Sequence, residues 1–141
     1  MRPARVRSVE VQSALAAAVR FNAALNGFSA RTEVEDAWVG MRKEFVESIL
    51  PGVPDLKAFD AERFVREAAT CDFMKCGIER AEFRSIHSGT LWLRRVCRLC
   101  LEYHGDRAAG SVLAEVLRDV GFAVVQRSHR QPGYLLGVRC L

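Results

Sequence analysis

The apolar residues of this 141-residue chain recur mostly at intervals of three and four. Strong turn signals are few: Asn26-Gly27, Pro51-Gly52-Val53-Pro54, Ser88-Gly89, His104-Gly105-Asp106 and Pro132-Gly133. Val11, Leu15, Ala18, Val19 and Leu25 form one stripe, and Val34, Trp38, Met41, Phe45 and Ile49 a second. Ala61 to Met74 reads as a third helix with Asp60 as its N-cap, and Ile78 to Ile86 as a short fourth. Leu91 to Tyr103 is nearly apolar apart from its arginines and Glu102, which makes it the expected central helix. Ser111 is the expected cap of a sixth helix, with Val112, Leu113, Val116, Leu117 and Val120 on one face. Phe122 to Val125 extends that helix or begins another, because a lone strand there has nothing to pair with. The pattern predicts an all-α globule of six to eight helices around one central apolar helix. No repeat or long linker divides it, so residues 1–141 are expected to form a single domain.

Composition narrows the class. Half the residues are hydrophobic, enough for a real core. The net charge is +4, with cations interleaved among acids. The local excesses, Arg2, Arg5 and Arg7 at one end and Arg127, His129 and Arg130 near the other, read as solvated termini. No nucleic-acid partner is expected. No apolar run approaches the roughly 18–20 residues of a membrane span. The basic start lacks the apolar stretch of a signal peptide. The expectation is a cytoplasmic protein with no integral membrane anchor. Five cysteines, an odd number, fit reduced thiols.

Candidate chemistry is sparse. Cys97-x-x-Cys100 with His104 has metal-like spacing, and Cys71 and Cys76 could complete a set. Within an apolar helix, packing is the expected role of these thiols, and no metal site is expected. His87, His104 and His129 allow a Cys–His pair, yet no orienting acid or oxyanion loop stands beside any of them. There is no Gly-rich phosphate loop and no paired-carboxylate signature. The chain is therefore expected not to be an enzyme, with no catalytic residue and no cofactor. The most informative stretch is Ser88 to Arg94: a flexible pair, then Trp92 and Arg94 at the mouth of an apolar segment. Arg94 either snorkels to solvent or waits for a carboxylate from a partner.

The order of these segments resembles the Bcl-2 family of apoptosis regulators, in particular its compact viral members. Leu15 to Phe28 resembles the first helix of that family, which ends in a polar residue, Gly and an aromatic. Val34, Trp38, Met41 and Phe45 show the four–three–four spacing of its third homology motif, with Glu44-Phe45 as the acid-aromatic pair. Gly89, Trp92 and Arg94 fall in register with the first homology motif, while Ser88, Leu91 and Leu93 replace its Asp, Asn and second Gly. Pro132-Gly133-Tyr134 is weakly similar to the second.

The resemblance implies a Bcl-2-like helical bundle that blocks apoptosis by sequestering the BH3 helix of pro-apoptotic proteins. By that likeness Arg94 pairs with the ligand's Asp, and Gly89 lets its backbone approach. Leu91 and Trp92 flank Arg94. Phe45, Ile49 and Val53 wall one side of the groove, and Ala81, Arg84 and Ser85 line the other. A host-cell cytosolic location and self-association through an unfilled groove are also expected. Two alternatives stay open. One is a Bcl-2-fold modulator of host signalling acting through another surface, with a closed groove. The other is a metal or redox role for Cys97, Cys100 and His104.

Overall fold

The computed structural model describes residues 4–39, 57–59, 70–78, 81–87, 90–127 and 132–139. The chain forms two compact units, Met1–Phe59 and Asp60–Leu141. Both are α/β, which overturns the expected all-α bundle.

The first unit is a parallel sheet with one helix. Strand β1 (Val6–Glu10) pairs in parallel with β2 (Thr32–Val39), from Val6 opposite Thr32 to Glu10 opposite Asp36. β2 pairs in parallel with β3 (Lys57–Phe59). Parallel neighbours need a crossover, and helix α1 (Ser13–Leu25) supplies it between β1 and β2. This is where the first stripe predicts a helix. It starts without a side-chain cap at Gln12 and stops at Gly27, whose φ is 73°. The amide of Gly27 reaches the Ala24 carbonyl and that of Phe28 the Ala23 carbonyl, closing a Schellman motif. The second stripe is not a helix where it is described: Val34 and Trp38 lie in β2. Met41, Phe45, Ile49 and Val53 lie outside the described residues, as does most of the third predicted helix. Met74, the end of that third helix, is in a strand.

The second unit is a mixed four-stranded sheet in the order β4-β5-β7-β6. Strand β4 (Met74–Cys76) runs parallel to β5 (Arg98–Tyr103). β7 (Gly133–Val138) is antiparallel to both β5 and β6 (Ala123–Arg127). Helix α2 (Glu82–His87) and a 3-10 turn (Leu91–Arg95) precede β5, and helix α3 (Arg107–Asp119) follows it. The expected central helix is thus a short turn and a strand. Its second half alternates: Leu99, Leu101 and Tyr103 are buried while Arg98 is exposed and Cys100 and Glu102 half-buried. That is a period of two, the mark of a strand with one buried face. The supposed lone strand at Phe122–Val125 is β6, and its partner is β7.

The core of this unit joins Leu99, Leu101 and Tyr103 to Leu135, to Leu113 and Leu117 of α3, and to Phe122. Asp106, not Ser111, caps α3, accepting from the Ala109 amide at 2.8 Å. The helix stops as α1 does, at Gly121 with φ 97° and bonds back from Gly121 and Phe122. The Tyr103 ring lies where Gly110 and Gly133 leave room. A Cβ at either would sit 2.3 Å from its Cζ. Its hydroxyl accepts from Gln126 Nε2 at 3.0 Å. Arg139 donates to the carbonyls of Arg94 and Val120, with its guanidinium 4.5 Å above the Phe122 ring. Burial and the neighbouring Arg94 charge lower its pKa.

Candidate functional site

In open α/β sheets, ligands bind beyond the carboxyl ends of the parallel strands, where loops leave the sheet and helix starts point outward. Each unit has one such edge.

In the first unit Glu10 closes β1 and stands opposite Asp36, which lies within β2 before its end at Val39. Glu10 accepts from the Gln12 amide at 2.9 Å, which holds its carboxylate at the start of α1. Asp36 is held differently, by Arg20 of α1 at 2.5 Å, and Arg20 also donates to the Val34 carbonyl.

In the second unit β4 ends at Cys76 and β5 at Tyr103, with His104 next in the chain. Because the two strands are parallel, both ends lie on the same edge. Glu82, in the first turn of α2, is fully buried there. Its Oε1 lies 3.2 Å from His104 Nδ1. The histidine side chain keeps 23% of its surface exposed, so an acid buried in protein orients a ring that solvent can reach. A carboxylate bonded to one imidazole nitrogen sets the tautomer and directs proton exchange to the other. Burial pushes the Cys76 thiol up to about 12, and the Glu82 charge adds to this while Lys75 opposes it. Cys76 is therefore a neutral thiol near pH 7 and not a nucleophile. Lys75 is drawn instead to Glu102, 3.3 Å away.

The orienting acid that the sequence did not reveal is thus Glu82, 22 residues before His104. Cys97 sits on a bend and Cys100 on a strand rather than on a helix. Cys71 bridges to Val96, and burial raises its pKa. Among the described residues no three His, Cys, Asp or Glu side chains gather to hold a metal ion.

The residues expected to line a helix-binding groove that the structure describes lie on or beside the 3-10 turn and α2. Arg94 and Leu91 are exposed on the 3-10 turn, while Trp92 and Leu93 are buried. Ala81 and Ser85 are buried, and Arg84 is exposed on α2. Gly89, like Phe45, Ile49 and Val53, lies outside the described residues. The helical bundle that a BH3 groove requires is absent from both described sheets, so the Bcl-2 likeness and the apoptotic role fall together. Among the described residues, no helix is long and apolar enough to cross a membrane.

No protein-family model and no curated protein matches the chain. Its fold is similar to that of a solved structure, a human methyltransferase 10 domain containing protein. The TM-score is 0.51 at 11% identity, over 99% of this chain and 72% of that one. The likeness is one of fold. It corrects the expectation of a Bcl-2 fold, and the expectation of a non-enzymatic protein is not upheld beside an α/β fold similar to that of a methyltransferase domain containing protein.

Proposed function

We propose that the chain is a methyl-transferring enzyme in which His104, backed by Glu82, takes the proton from the acceptor. The observation that carries this reading is the buried Glu82 against His104 at the carboxyl edge of β4 and β5. The methyltransferase-like fold supports it. The donor implied is a nucleoside-linked sulfonium such as S-adenosylmethionine. When bound, that donor supplies an electrophilic methyl group.

The remaining chemistry belongs to His104. A hydroxyl acceptor becomes a better nucleophile as its proton leaves, and a positioned base typically contributes ~10²–10⁴-fold. Nδ1 faces Glu82, so Nε2 is the atom that accepts the proton. The buried carboxylate then stabilises the imidazolium that forms. Cys76, held neutral, does not compete for the methyl group as a thiolate would.

Calorimetric titration of the chain with S-adenosylmethionine and S-adenosylhomocysteine tests the reading. Binding is expected. Without binding of either ligand the reading fails. His104→Asn should leave donor affinity within twofold, because the base acts on the acceptor.

A further inference from the structure

His104 stands in a short connection. β5 ends at Tyr103, and α3 starts at Arg107 behind its cap, Asp106. Only His104 and Gly105 lie between the strand and the capping residue. The contact that aims the imidazole is a long one, Nδ1 to Glu82 Oε1 at 3.2 Å. Such a bond is lost beyond about 3.5 Å, so a small shift of the His104 backbone releases the ring. The cap fixes one side of the connection. The other side depends on how firmly Tyr103 is held.

Tyr103 is fully buried and pairs with Gly133 of β7. Its ring lies against Gly133 and against Gly110 of α3. Glycine weakens both a helix and a strand, so each element gives up intrinsic stability to make this room. Gln126 of β6 fixes the outer end of the ring. Its Nε2 donates to the Tyr103 hydroxyl and to the Arg107 carbonyl, each at 3.0 Å. Its Oε1 accepts from Ser111 Oγ at 3.3 Å. One side chain thus ties the ring before His104 to the start of the helix after it.

We infer that Tyr103 is a positioning residue for His104, wedged between Gly110 and Gly133 so that the imidazole stays within reach of Glu82. The inference rests on the reading of His104 as the base. Distances show how tight the wedge is. A Cβ on Gly110 would stand 2.3 Å from Tyr103 Cζ. Carbon contacts are ordinarily about 3.5–4.0 Å, so the ring would have to yield by about 1 Å. That exceeds the slack in the bond to Glu82. A base misplaced by about 1 Å loses on the order of a hundredfold in rate.

Heteronuclear NMR of the His104 ring in the whole chain tests this at mildly alkaline pH, where imidazoles are neutral and the two tautomers have distinct nitrogen shifts. His104→Asn identifies the signals by their loss. The unsubstituted chain is expected to show the Nδ1-protonated tautomer alone. Tyr103→Phe keeps the wedge and should keep that tautomer. Tyr103→Leu and Gly110→Ala should each give both tautomers in a chain that circular dichroism shows to be folded. A purely structural role for Tyr103 would lower the melting temperature of those two variants and leave the tautomer unchanged, and that result overturns the inference. So does a mixture of tautomers in the unsubstituted chain or in Tyr103→Phe, neither of which depends on the more disruptive variants folding. The measurement uses no donor or acceptor, so its failure is distinct from a failure to bind S-adenosylmethionine.

Discussion

Helices α1 and α3 are both 13 residues long, and both stop at a left-handed glycine followed by phenylalanine. Their surroundings differ. α3 buries Gly110, Leu113, Ala114 and Leu117 against the mixed sheet, and an aspartate caps it. α1 buries Ala16 alone and has no side-chain cap. The same local code therefore builds two helices of unequal dependence. α3 is held by its own unit, whereas α1 leaves Leu15, Phe21 and Leu25 exposed. Local signals decide where a helix begins and ends, and the number of apolar stripes decides how many neighbours it needs.

The largest break in this contrast is expected from Leu117→Ala. It should cost ~2–5 kcal/mol in urea denaturation, since Leu117 is fully buried and its cavity cannot be filled. Alkaline pH should act next, and on the second unit. The Cys76 thiol is raised in the fold from its ordinary 9.0 to about 12. Between those values the unfolded chain has lost a proton that the folded chain keeps. Stability is therefore fully present below pH 9.0 and falls as pH rises towards about 12. Cys76→Ala should flatten that part of the profile.

Gly27→Ala and Gly121→Ala should each cost ~1–2 kcal/mol, because both glycines hold positive φ. Equal costs would show that the two helix stops work alike despite unequal packing. Next come the starts. Asp106→Ala should cost ~1 kcal/mol, and Gln12→Asp should add ~0.5–1 kcal/mol by capping α1, both read by hydrogen exchange. The smallest effect is expected from Phe21→Ala, within ~0.5 kcal/mol. A large loss there would mean that the outer face of α1 is already packed, and would erase the contrast.

Some of this was legible along the chain. Val11 to Leu25 predicts α1, and the apolar face from Val112 to Val120 predicts α3, because a helix makes its hydrogen bonds within a few residues. Strands do not. β5 reads as an apolar helix because Leu99, Leu101 and Tyr103 are interleaved with cysteine and arginine, which blurs a period of two. β6 lacks a partner among its near neighbours, yet it pairs with β7, which begins at Gly133. The site was hidden for the same reason. His104 drew attention through its cysteines, while its true neighbour, Glu82, stands 22 residues away on another element. The Gly89, Trp92 and Arg94 register matched a helical family without fixing the fold, since three residues at set intervals suit a turn leading into a strand as well as a helix.

By itself, then, the amino-acid order determined two helices and the Asn26-Gly27 turn that ends the first, set by interactions spanning fewer than about eight residues. Tertiary structure alone decided the sheets, the parallel pairing that brings the ends of β4 and β5 to one edge, and the burial of Glu82 beside His104. A strand's hydrogen bonds and a buried acid's partner both come from distant parts of the chain, so neither can be read from near neighbours.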